Sequence, residues 1–109
     1  MKVTGGGSID GKVRSFTINV DRTPSGHFKY RDSMENFELV STSFLTFLET
    51  GPNEVTFSGI GTIGNNPVRF EVRVQDNGEK STNDFFSIEI TGKPSHSGNL
   101  SQGNIQIHR

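Results

Sequence analysis

Asp76, Asn77, Glu79, Asn83 and Asp84 crowd five oxygen-bearing side chains into one short stretch, the densest polar cluster of the sequence. Ca²⁺ takes several hard oxygen ligands from carboxylates, amides and backbone carbonyls, and Gly78 lets the backbone turn its carbonyls inward, so these five residues form the candidate metal site, with Ca²⁺ as the ion. Their spacing is not that of an EF-hand. Asp76-Asn77-Gly78 is also an ordinary turn signal, which makes a plain hairpin loop with no cofactor the favoured reading and a bound Ca²⁺ the alternative.

Other chemistry has less support. His27, His96 and His108 sit in different segments, and none pairs with another at the spacing of a zinc-binding helix. Ser8 lacks the Gly-x-Ser-x-Gly turn that exposes a nucleophile, and no Ser, His and acid share a segment. Glu35, Glu38 and Glu49 read as the solvated edges of strands rather than as the paired acids of a glycosidase. No catalytic residue is assigned. Tyr30 and Phe85 fall beside or out of phase with the buried sets, and an aromatic ring left on a sheet face suits a carbohydrate or protein surface, so these two are the candidate binding residues.

The elements that must position these groups are strands. Val68, Phe70, Val72 and Val74 alternate with Arg69, Glu71, Arg73 and Gln75, and Phe86, Ile88 and Ile90 repeat the pattern after the polar loop, which predicts a β-hairpin with one buried face. Setting Glu71 opposite Glu89 would place like charges side by side. A register shifted by two residues, with Arg69 or Arg73 opposite Glu89, is therefore expected.

Alternation recurs along the chain. Phe16, Ile18 and Val20 form one strand, a turn follows at Asp21 to Gly26, and Phe28 and Tyr30 lie in the next. From Phe37 to Glu49 the pattern is less regular; Phe44, Leu45, Phe47 and Leu48 would also fit a helical turn, and a bulged strand is the expectation. Gly59 and Gly61 mark a bend or a close approach of another backbone. Thr4-Gly5-Gly6-Gly7-Ser8 has a linker's composition, but a strand follows at once. Ile105 and Ile107 offer a last strand.

Composition bounds the class. A chain of 109 residues forms one domain, 1–109, and nine Phe with no Ala favour pleated strands over helices. The fold class expected is all-β, an antiparallel β-sandwich of jelly-roll type with seven to nine strands. A net charge of −1 leaves no basic excess, which disfavours nucleic acid, and no apolar run is long enough for membrane insertion. No Cys is present, so disulfides and thiolate metal sites are ruled out. Met1-Lys2 runs straight into Val3-Thr4 without a signal-peptide core, and the domain reads as one excised from a larger protein.

Val3-Thr4-Gly5-Gly6-Gly7-Ser8-Ile9, then Val74-Gln75-Asp76-Asn77-Gly78 with Asp84-Phe85-Phe86-Ser87-Ile88, and finally Leu100 to His108 resemble the post-COAP domain. That family occurs as a C-terminal or repeated module of large bacterial secreted and surface proteins. The resemblance implies an extracellular or cell-surface location and a non-enzymatic accessory module. Its partners would be the rest of the parent polypeptide and carbohydrate or protein at the cell surface. It also makes the N-terminal glycines part of the domain. Two other classes stay open, a carbohydrate-binding module and a small hydrolase domain.

Overall fold

The computed structural model describes residues 1–78 and 83–109. The chain is all-β and antiparallel. Nine strands run β1 (Lys2–Ile9), β2 (Arg14–Asp21), β3 (Ser25–Asp32), β4 (Phe37–Gly51), β5 (Glu54–Ile63), β6 (Asn66–Gln75), β7 (Phe85–Ile90), β8 (His96–Asn99) and β9 (Gln102–His108). They form one sheet in the order β8-β7-β6-β5-β4-β3-β2-β1-β9, so strands one to eight make a meander and the last strand returns to pair with the first. Only Leu100 and Ser101 separate β8 from β9, although these two strands lie at opposite ends of the sheet order. That link is possible because the sheet curls into a half-barrel of 36 × 32 × 17 Å, bringing its two edges together.

Alternation places the core on the inner face of the curl. Val3, Phe16, Ile18, Val20, Phe28, Tyr30, Val55, Phe57, Phe70, Val72, Val74, Phe86, Ile88 and Ile105 are all buried there. Aromatic rings bridge strands that share no hydrogen bonds: Phe16 of β2 stacks on Phe86 of β7 with centroids 4.1 Å apart, and Phe28 of β3 lies 5.2 Å from Phe70 of β6. The predicted common burial of Phe70, Val72, Phe86 and Ile88 is found.

The register of the central hairpin differs from expectation. Glu71 pairs with Glu89, flanked by Phe70 with Ile90, Val72 with Ile88 and Val74 with Phe86. A shift of two toward Arg73 would set Phe86 opposite Asp76, and the opposite shift would set Val74 opposite Asp84. Either would place a carboxylate against an inward apolar side chain and break one matched pair. A like-charge pair on the solvated outer face costs roughly 0.2–1 kcal/mol, less than the roughly 1.5–3 kcal/mol of one buried apolar side chain. The core sets the register.

β4 is a bulged strand and contains no helical turn. Its pairing with β5 shifts at Ser41/Ser43, Phe44/Thr46 and Glu49/Gly51. The extra residues bring Phe44 and Phe47 onto the core side, three positions apart, and leave Leu45 and Leu48 exposed. On β5, a Cβ at Gly59 would lie 2.3 Å from the Ser43 carbonyl oxygen and 2.9 Å from Phe70 Cζ, so the missing side chain makes room for a neighbouring backbone and an aromatic ring. Gly5, Gly6 and Gly7 lie in β1 between β2 and β9, where a Cβ on Gly5 or Gly7 would run into the β9 backbone. The glycine run is a close-packed strand, not a linker.

Candidate functional site

The polar loop and the returning strand meet at the seam of the curl. In antiparallel pairing with β1, β9 turns the N–H groups of Ile105 and Ile107 away from its partner, and buried N–H groups need acceptors. Asp84, fully buried, supplies one: its Oδ2 accepts from Ile105 N at 2.9 Å while its Oδ1 accepts from Asn77 N at 2.8 Å. Asp76 Oδ2 accepts from Ile107 N at 3.1 Å, and Gly78 N donates to its Oδ1 at 3.4 Å. Asn77 Nδ2 donates to the Asn83 carbonyl oxygen at 2.8 Å, and Leu100 N donates to that of Asp84 at 3.0 Å. The structure thus brings Asp76, Asn77, Asn83 and Asp84 together; Glu79 lies outside the described residues. Both carboxylates point at backbone N–H groups. Among the described residues no three His, Asp or Glu side chains are grouped to hold a metal ion.

Tyr30 is not a surface residue. It shares the inward phase of Phe28 on β3, is 1 % exposed, and stacks against Phe86 with centroids 6.1 Å apart. A ring in that position is core. Phe85 is half-buried, and the Arg73 guanidinium lies over its ring, 5.4 Å from the centroid. Arg73 Nε is also 3.7 Å from Glu54 Oε1.

A second polar cluster escapes the sequence reading. Arg14 on β2 and Asp32 on β3 face each other in the ladder and point inward, with Arg14 Nε donating to Asp32 Oδ2 at 3.0 Å. Arg14 Nη1 also donates to Asp10 Oδ2 at 2.8 Å, and Asp32 Oδ1 accepts from Met34 N and Glu35 N at 3.0 and 2.9 Å. Burial opposes the charge on Asp32, yet these N–H donors and the guanidinium outweigh it and hold its pKa below the ordinary value. Burial likewise opposes the charge on Arg14, and the Asp10 and Asp32 carboxylates more than offset it. Burial, then the Asp32 charge, pushes the Tyr30 phenol upward. His96 Nε2 on β8 lies 3.8 Å from Asp32 Oδ2, and neither it nor Tyr30 Oη has a hydrogen-bond partner among the described residues. The signal was present in sequence: Arg14 continues the inward phase of Phe16 and Ile18, and Asp32 that of Phe28 and Tyr30.

The third feature is an open groove of about 630 Å³ on the outer face, lined in part by Thr46, Ser58, Arg69, Glu71, Glu89 and Lys93. It exists because the even-numbered residues of β6 and β7 turn inward and leave their odd-numbered charges outside. Lys93 Nζ sits 4.6 Å from the Phe37 ring centroid, whereas neither Glu71 nor Glu89 has an ion-pair partner among the described residues. No protein-family profile, curated protein or solved structure matches this chain.

Proposed function

We propose that this chain is a non-catalytic structural or recognition module of a secreted or cell-surface bacterial protein, as its resemblance to the post-COAP domain implies. One observation carries the reading. The buried charged groups Asp84, Asp32 and Arg14 are committed to backbone groups or to neighbouring charges, while Glu71 and Glu89, without an ion-pair partner among the described residues, face an open groove. Such a division suits a scaffold that displays a binding face, with any partner other than the parent polypeptide docking on β4–β7. The groove hydroxyls of Thr46 and Ser58, which hydrogen-bond to each other at 2.6 Å and keep further donor and acceptor capacity, stand beside paired carboxylates and Arg69 and favour carbohydrate over protein as that partner, because such groups can exchange hydrogen bonds with sugar hydroxyls. The finer architecture belongs to the same reading: with β2–β3 facing β6–β7 across the Phe16–Phe86 stack, the flattened curl packs as a β-sandwich does.

Titrating the isotope-labelled chain with soluble bacterial cell-wall polysaccharides tests this. Amide shifts are expected at Arg69, Glu71 and Glu89, with polymer length unchanged. Glu71→Ala with Glu89→Ala should weaken binding about tenfold, equivalent to about 1.4 kcal/mol, without lowering the melting temperature, since it also relieves the like-charge pair. Shortening of the polymer would overturn the non-catalytic reading, and shifts confined to other faces would overturn the groove.

A further inference from the structure

We infer that Phe85 and Arg73 form a second subsite beside the groove, so that the outer face of β5, β6 and β7 takes an extended, uncharged glycan chain. The inference rests on the carbohydrate reading above and specifies its ligand. Glu71 and Glu89 line the groove and also a second hollow of about 280 Å³, which Thr56, Arg73 and Ser87 complete, so the two hollows are continuous. A third, of about 310 Å³, includes Glu54 and Gln75. Ladder pairs set the three in line: Ser58 faces Glu71, Thr56 faces Arg73 and Glu54 faces Gln75. At roughly 3.3 Å per residue, the run from Arg69 to Gln75 spans about 20 Å, which suits a chain of sugars better than a single one.

Charge selects the ligand class. Among the described residues lining these hollows, Arg69, Arg73 and Lys93 are balanced by Glu54, Glu71 and Glu89. No net field remains to attract a uronic acid, a phosphate or an amino sugar, and recognition falls to hydrogen bonds with hydroxyls. Phe85 adds the apolar surface. An odd-numbered residue of β7, it turns outward beside Ser87, with its ring under the Arg73 guanidinium at 5.4 Å. The Arg73 side chain is half exposed and has a second partner within reach, since Glu54 Oε1 lies 3.7 Å from its Nε. That carboxylate is held in place by Gln75 Nε2 at 2.9 Å and Thr50 Oγ1 at 2.7 Å. A guanidinium leaving the ring closes on a fixed carboxylate, and the C–H face of a sugar takes its place.

Affinity of the full chain for uncharged bacterial cell-wall polysaccharide, intact and cut to disaccharides, tests the subsite. The intact polymer should bind the parent about tenfold more tightly than the disaccharide, which the groove holds alone. Phe85→Leu keeps an apolar side chain without a flat ring. It should lower polymer affinity to that of the disaccharide and leave disaccharide affinity unchanged, which also shows the fold intact, while Phe85→Tyr should keep both affinities. Arg73→Ala uncovers the ring and should tighten polymer binding about threefold. Equal affinity of the parent for both lengths, undiminished polymer binding by the Leu variant, or weaker polymer binding by Arg73→Ala would overturn the subsite and leave the groove standing. Preference for an anionic polysaccharide would overturn the uncharged class. No binding of either length would overturn this inference together with the reading beneath it.

Discussion

Asp32→Ala is expected to cost about 3–5 kcal/mol at neutral pH, the usual penalty for removing one partner of a buried ion pair. Arg14 would keep only Asp10, which is half exposed, and the amides of Met34 and Glu35 would lose their acceptor. The penalty comes mostly from the charge left behind. Replacing both residues, with Arg14→Met and Asp32→Leu, should therefore recover much of the loss. Because the folded-state pKa of Asp32 is depressed, its contribution is complete above its unfolded value of about 3.9 and is lost as pH falls through the lower folded value. Urea denaturation of parent and variant should show a stability difference that is constant near neutrality and narrows below about pH 4. A neutral-pH loss under about 1 kcal/mol would mean that the pair is not buried as described.

Phe86→Ala should cost a similar amount, about 3–5 kcal/mol, for a different reason. The ring is fully buried on β7, stacks on Phe16 at 4.1 Å and lies 6.1 Å from Tyr30, so it joins the two halves of the curl. Truncation opens a cavity that rigid strands on both sides cannot collapse. Denaturant midpoints read the effect, and a loss below about 1 kcal/mol would show that β7 does not present this face to the core.

Period-two patterning made most of this legible. It marked the inward faces of β2, β6 and β7, and the isoleucines of the last strand, because a strand's alternation is a local property. Interactions between distant segments were less accessible. The loop acids were recognised as a cluster, but their acceptor role depends on N–H groups of Ile105 and Ile107, supplied by a strand that returns from the far end of the sheet. The Glu71–Glu89 pairing runs against local charge repulsion because the apolar matches on the opposite face, Phe70 with Ile90, Val72 with Ile88 and Val74 with Phe86, outweigh it. Tyr30 is core and not surface because it shares the inward phase of Phe28, and the same phase rule places Arg14 and Asp32 inside, opposite one another.

The central claim is that the polar residues most suggestive of chemistry, Asp76 and Asp84, instead hold the sheet closed. Melting the parent and the Asp76→Ala, Asp84→Ala double variant in excess Ca²⁺ and in chelator tests it most directly. The account predicts a variant that melts well below the parent by the same margin in both conditions, since unpaired N–H groups on β9 cost about 1–3 kcal/mol each whether or not Ca²⁺ is present. A Ca²⁺-dependent rise in the parent that disappears in the variant would contradict it and make the two carboxylates ion ligands.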